Sequence, residues 1–241
     1  MAQCRNCMSP LEGPYCAVCG QKDIDLERPL RELIGEITRE TFDLDGRAWL
    51  TAKTLFLRPG LLTKEFLAGK RQSYTPPLRL YLFISVAFFV LMAWVASQGL
   101  MLEQGQLSDL DAAVQARFMS DELPRLMFVL LPVFAVFLKA LFWRRLYFDH
   151  LIYSVHFHSA AYVVLALMLP AEKVSGDSLP ALALQVVLLT YLIAYLVISL
   201  RRVYATTLIG ASAKAAALFL AYSAVISGVI EAVSSFQIIS D

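Results

Sequence analysis

After Cys19 the sequence contains no further cysteine, so its four cysteines all stand within the first twenty residues. A disulfide framework spread along the chain is thereby excluded. The formal net charge is only +1, which leaves no global basic field of the kind that gathers nucleic acid. No basic stretch leading into an apolar run opens the chain, so no cleavable leader is expected. A phosphate-cradling glycine loop, a serine-nucleophile motif and paired catalytic carboxylates are also missing. Glu-x-x-His and His-x-x-x-His spacings are absent, which weakens any reading as a metalloenzyme. These absences point away from an enzyme.

Apolar residues are what the sequence has in excess. They make up 58% of it, against about 45–50% in a soluble domain, and they concentrate after Arg79. About 20 apolar residues suffice to cross a bilayer, and five such runs are expected at 80–98, 124–143, 151–169, 181–200 and 212–231. Tyr74, Pro76 and Pro77 break the chain just before the first. Pro132 predicts a kink in the second, and Lys139 near its end is placed to snorkel to the interface. The expected fold is an all-α multi-pass membrane protein, a five-helix bundle (80–241) behind a small cysteine head (1–25).

Residues 26–79 carry too many charges to span. Leu30, Leu33, Ile34 and Ile37 recur at helical spacing after Pro29, which suits a first helical position. A second short helix is expected over 47–57, ended by the "RPG" at 58–60, and a third from Leu61 to Ala68, stopped by Gly69. These read as amphipathic helices lying on the membrane surface or packed against the spanning bundle.

Loop charge fixes an expected orientation. Lys64, Lys70, Arg71 and Arg79 precede the first span, Arg144 and Arg145 join the second to the third, and Arg201, Arg202 and Lys214 join the fourth to the fifth. The alternate loops lean acidic, with Glu103, Asp109, Asp111, Asp121, Glu122, Glu172 and Asp177. By the positive-inside rule the N-terminus is cytosolic and the C-terminus external.

The head reads Cys4-x-x-Cys7, then Cys16-x-x-Cys19 followed by Gly20. A reducing cytosol disfavours disulfides there. Two residues between thiolates let one tight turn aim both sulfurs at one metal, and four thiolates suit a single tetrahedral zinc. Iron in a rubredoxin-like site and a thiol redox pair are the alternatives. A segment this short has no core of its own, so the metal would supply most of its folding free energy, of order 10–16 kcal/mol. Such a closed site is structural rather than catalytic.

With the head, the stretches "TLFLRPGLLTKEFLAGKRQSYTPPLRLYLFIS" (54–85) and "FDHLIYSVHFHS" (148–159) complete a recognisable pattern. The chain resembles, up to about residue 165, a family of uncharacterised bacterial inner-membrane proteins that join a zinc ribbon to a "GKR…Y…P.R" juxtamembrane motif. The resemblance implies a bacterial inner-membrane location and no established activity. A looser likeness, in architecture alone, is to paraquat-inducible A-type proteins, which are linked to lipid transport.

Two further groups of residues carry possible chemistry. In "GKRQSYTPPLR", Lys70, Arg71, Tyr74 and Arg79 serve as topogenic charge and interface anchors, or as a site for anionic lipid headgroups or an acidic partner. All three histidines lie in the third span. Tyr147, His150, Ser154 and His158 share one side of that helix, and Asp149, Tyr153 and His156 another. Ionisable groups in a span are costly and turn inward, so interhelical hydrogen bonding, a proton relay or transport path, and metal chemistry are the readings available. Asp149 is expected to pair with Arg71, Arg79 or Arg144. The function expected first is a non-catalytic assembly, regulatory or partner-recruiting subunit in contact with membrane lipids, with no nucleic-acid partner. The rival is a transporter or lipid-transport subunit whose path runs along the histidine face.

Overall fold

The computed structural model describes residues 2–23, 47–97, 123–174 and 179–240. The expected helix around Leu30–Ile37 and most of the acidic loop residues lie outside them. Among the described residues the elements after the head are α1 (Arg47–Leu57), α2 (Leu61–Leu67), α3 (Pro77–Ser97), α4 (Leu123–Leu141), α5 (Tyr147–Val174), α6 (Leu179–Tyr204) and α7 (Leu208–Ser240). The last five are long and apolar enough to cross a membrane. The chain is an all-α, multi-pass membrane protein.

Helix ends depart from the expected runs by one to five residues, and by nine at the end of α7, because hydropathy does not register polar turns that remain helical. Pro77 opens α3, three residues before the apolar run, since a proline loses nothing at a first helical position. Tyr147 opens α5, and Asp149 in its first turn favours the positive end of the helix dipole. Helix α4 runs through Pro132 and stays one helix. Lys139 does not simply reach for water: its Nζ donates to the carbonyls of Trp143 at 2.6 Å and Arg145 at 2.5 Å, closing the end of α4.

Helix α5 is the axis of the molecule. Its apolar window is 61% buried, against 11% for α6 and 17% for α7, and it packs on α3, α4, α6 and both short helices. Phe134, Leu138, Tyr153, Leu200 and Leu218 fill the layer between α4, α5, α6 and α7. Tyr81, Phe88, Met92, Leu131 and Tyr162 fill the layer between α3, α4 and α5.

The two short helices form a hairpin against α5 and α6. Thr51, Thr54 and Leu55 of α1 and Leu62, Thr63 and Phe66 of α2 face inward. Gly60 starts α2 with φ 76°, and a Cβ there would lie 2.9 Å from Ser199 Cα. Only glycine permits that turn and that approach. Tyr191 donates its hydroxyl to the Phe56 carbonyl at 2.8 Å, and Arg202 donates to the Pro59 carbonyl at 2.5 Å. The hairpin thus packs against the spanning bundle, as one of the two expected placements has it.

These contacts gather the head, the hairpin, the α4–α5 turn and the α6–α7 turn at one end of the bundle. Lys214 closes the group by donating to the Leu141 carbonyl at 3.0 Å. Trp143, 69% exposed, marks this rim, and Trp94, 58% exposed, lies toward the other end. Seventeen residues of α3 separate Trp94 from Pro77, about 26 Å at 1.5 Å per residue. Exposed tryptophans at that separation suit the two interfaces of a bilayer.

Candidate functional site

The head is built twice on one pattern. The Cys4 amide donates to the Ser9 carbonyl and the Cys16 amide to the Gln21 carbonyl, each at 2.9 Å. The Met8 amide closes the first turn on Cys4 and the Gly20 amide the second on Cys16, again at 2.9 Å. Single bridges, Gln3 to Pro10 and Tyr15 to Lys22, tie the two knuckles at matching places. The residue after each second cysteine is left-handed, Met8 at φ 65° and Gly20 at φ 70°. Glycine is at ease there, whereas Met8 is a strained position held by its turn. The period is twelve, from Cys4 to Cys16 and from Cys7 to Cys19.

This repeat brings the four sulfurs together, all within 4.8 Å of one another. Cys4 and Cys19 stand 3.6 Å apart, as do Cys7 and Cys16. Those separations are far too long for disulfides, whose sulfurs sit about 2.05 Å apart. They match the edge of a tetrahedron with metal–sulfur bonds of about 2.3 Å, which is about 3.8 Å. The four cysteines can therefore hold one metal ion, and a bound ion would replace thiol protons and knit the two knuckles.

Ser9, unremarked in the sequence, sits against this cluster. Its hydroxyl lies 3.1 Å from the sulfurs of both Cys7 and Cys16. That hydrogen bond, with help from the Cys19 and Val18 amides, pulls the Cys16 thiol down to about 6, and Ser9 lowers Cys7 as well. Burial pushes Cys19 up, to about 11. The hydroxyl dipole of Ser9 thus favours the metal-binding thiolate at Cys16 and Cys7, while burial opposes it at Cys19.

Gln21 occupies in the second knuckle the place that Ser9 holds in the first, and it serves a different end. Buried to 7% exposure, its amide donates to the Gly69 carbonyl at 2.6 Å. Its carbonyl oxygen accepts from the amides of Arg71 at 2.9 Å and Gln72 at 3.2 Å. Ser73 donates to Asn6 at 2.8 Å, and Arg5 packs over Gly69, whose φ of 89° suits glycine. The loop is held from below by Arg47, donating to the Gln72 carbonyl at 3.0 Å, and by Thr51, accepting from the Thr75 amide at 2.9 Å. Head and juxtamembrane motif, separate in the sequence, thus form one unit.

Lys70 and Arg71 of that motif find partners within the protein. Lys70 pairs with Glu65 at 2.6 Å, and that hydrogen bond raises its pKa. The Arg71 guanidinium lies 5.5 Å from the Phe66 ring centre. Tyr74 packs against the cluster of Leu55, Leu62, Leu80, Ala160 and Tyr195, and Arg79 is half-buried in the first turn of α3.

The structure spreads the polar residues of α5 over four neighbours. Tyr147 donates to the Pro132 carbonyl at 3.2 Å and Ser154 to the Leu131 carbonyl at 2.9 Å, both on α4. His150 bonds through Nδ1 to the Tyr204 hydroxyl of α6 at 2.8 Å, and its Nε2 is buried without a hydrogen-bond partner among the described residues. His156 bonds Thr63 of α2 at 3.0 Å, and Tyr153 bonds Ser199 of α6 at 2.6 Å. His158 Nδ1 lies 2.8 Å from the Ser154 carbonyl and must donate to it. Its Nε2 therefore accepts from the Tyr222 hydroxyl of α7, 3.0 Å away. Asp149 does not pair with Arg71, Arg79 or Arg144 as expected. Its ion partner is Arg145 at 3.9 Å, one helical turn earlier, where an i,i+4 pair forms without bending the chain.

A family model described as a protein of unknown function (DUF3667) matches residues 45–89. The matched segment is the α1–α2 hairpin, the loop that receives the head, and the first half of α3. It supports the likeness to an uncharacterised domain family and does not bear on the head or on paraquat-inducible A-type proteins. No curated protein and no solved structure matches the chain.

Proposed function

We propose that this is a bacterial inner-membrane protein whose zinc-filled head acts without catalysis, as the cytosolic element of an assembly, regulatory or partner-recruiting subunit. The head end of the bundle carries Arg144, Arg145, Arg201, Arg202 and Lys214, which supports a cytosolic head and an external C-terminus. Four thiolates leave a tetrahedral ion no open position for substrate. Zinc is favoured over iron because two Cys-x-x-Cys knuckles are its usual structural setting.

The observation that carries this proposal is that the head is anchored through some residues while its large apolar ones stay exposed. Arg5, Asn6 and Gln21 hold it on the juxtamembrane loop, whereas Met8, Tyr15 and Val18 remain 65%, 60% and 74% exposed. Exposed apolar side chains on a rigid, anchored platform are what a protein partner uses. A photo-crosslinking residue placed at Val18 in cells should give a discrete protein adduct that Cys7→Ser abolishes. No adduct from Val18 or Tyr15 in metal-loaded protein would reject partner recruitment.

A further inference from the structure

The outward side of the α1–α2 hairpin is a distinct surface. Trp49, Leu50 and Leu57 are 77%, 47% and 70% exposed, and Lys53, Arg58 and Lys64 are exposed among them. Trp49, Lys53 and Leu57 are spaced by four and form one stripe along α1. No ion pair is made by Lys53, Arg58 or Lys64 among the described residues. Between residues 47 and 97 the chain holds seven basic residues, and Glu65, already paired with Lys70, is its one acid.

The inward contacts say where this surface lies. Thr63 meets His156, nine residues into α5, or about 13 Å from its start. Tyr191 meets Phe56 thirteen residues before the end of α6, or about 20 Å from it. Helices α5 and α6 have 28 and 26 residues, about 42 and 39 Å, and so exceed a hydrocarbon core of about 30 Å by roughly 10 Å. Even with all of that excess at the head end, the hairpin straddles the boundary between headgroups and hydrocarbon. Trp143 and Ile209, 69% and 84% exposed, lie at the same rim. A helix face at that level, turned away from the bundle, has lipid opposite it.

We propose that the outer face of the hairpin binds anionic phospholipid headgroups of the leaflet on the head side, with Lys53, Arg58 and Lys64 as headgroup ligands and Trp49, Leu50 and Leu57 seated among the acyl chains. Lys70 and Arg71 of the "GKR" motif are not these ligands, since one is paired with Glu65 and the other lies against Phe66. The cations snorkel from a stem buried in lipid, and their charge selects the headgroup.

Trp49 is a built-in reporter. Trp94→Phe/Trp143→Phe leaves it as the single tryptophan, and this protein is reconstituted in phosphatidylcholine vesicles containing phosphatidylglycerol. Brominated acyl chains are carried on one lipid or the other at equal mole fraction. Trp49 fluorescence should be quenched at least about twofold more by bromine on phosphatidylglycerol. Lys53→Gln/Arg58→Gln/Lys64→Gln should abolish that preference while quenching itself persists. Absence of quenching would show that the face is not on lipid, and equal quenching by the two carriers would show no headgroup selection. Either result overturns the proposal. If the triple variant fails to insert, the comparison of carriers in the otherwise unaltered hairpin still decides, and Lys53→Gln alone repeats the charge test.

Discussion

Gln21 and Gly69, 48 positions apart, are joined by a 2.6 Å hydrogen bond that seats the cysteine head on the membrane bundle. The same side chain receives the amides of Arg71 and Gln72, so one glutamine answers three backbone groups of the juxtamembrane loop. Replacing it leaves one buried and two partly buried groups unpaired, the buried one costing about 1–3 kcal/mol. Gln21→Ala should therefore retain its metal but loosen the seat. Amide exchange at Arg71 and Gln72 should accelerate by about tenfold or more, since 1.4 kcal/mol is a factor of ten. Unchanged exchange at both positions would show that the head is held by other contacts.

The purified protein should contain about one zinc per chain, because two knuckles complete one tetrahedral set. Cys7→Ser should lose it and unravel residues 2–23, whose fold rests on the cluster. The five spans should stay inserted, as their backbone is satisfied within each helix. Elemental analysis and protease accessibility of the head check both halves. Iron in place of zinc would keep the architecture and correct the metal.

Metal release should follow acid in a direction set by Ser9. The Cys16 thiol is depressed from 9.0 to about 6, so the stability its thiolate contributes is fully present above about pH 9 and is lost as the pH falls through about 6. Protons then displace the ion. Ser9→Ala removes the hydroxyl that lowers Cys16 and Cys7, so both thiols rise and release should begin at a higher pH. A chromophoric chelator followed during acid titration measures the shift, and a shift to lower pH would contradict the role given to Ser9.

Much of this was legible in the sequence, for reasons that can be located. The spans showed because apolar runs of bilayer length have few alternatives, and the four cysteines showed because their spacing dictates a shared turn. Gln21 and Ser9 did not, although the twelve-residue repeat from Cys4 to Cys16 marks them as equivalent positions. Their roles depend on which knuckle meets the loop, and that is a property of the assembled fold. Asp149 illustrates the same limit: several arginines were within reach on paper, and Arg145 takes it because one helical turn is the shortest path. Thr63, Tyr204 and Tyr222 answer the three histidines from helices far away in sequence, where periodicity within one segment gives no signal.

Gly60 should tolerate no side chain. Its φ of 76° costs other residues about 1–3 kcal/mol, and a Cβ would also press on the Ser199 backbone at 2.9 Å. Gly60→Ala should separate the hairpin from α6 and lower the thermal midpoint in detergent by several degrees. The neighbouring Thr63→Val, which loses one hydrogen bond to His156, should cost less. If Gly60→Ala is as stable as the parent, the close approach to α6 is wrong.

The histidines of α5 pose a choice between packing and proton transfer, and His158 can decide it. Both of its nitrogens are used in the neutral form, Nδ1 toward the Ser154 carbonyl and Nε2 toward Tyr222. Phe134 meets its ring edge-on at 5.0 Å, which further fixes the orientation. A buried partner left alone costs about 1–3 kcal/mol, whereas replacing both partners with apolar groups is close to neutral. Tyr222→Phe and His158→Leu should thus each lower stability by roughly that amount. The double variant should lose less than the sum, giving a coupling that a double-mutant cycle reads directly. For a relay the outcome is different: His158→Leu would leave a stable protein that has lost a pH-dependent activity, and Tyr222→Phe would not mitigate that loss. Thermal unfolding of the four proteins in the same detergent separates the two, and strict additivity would remove the hydrogen bond from the account of how α7 is held.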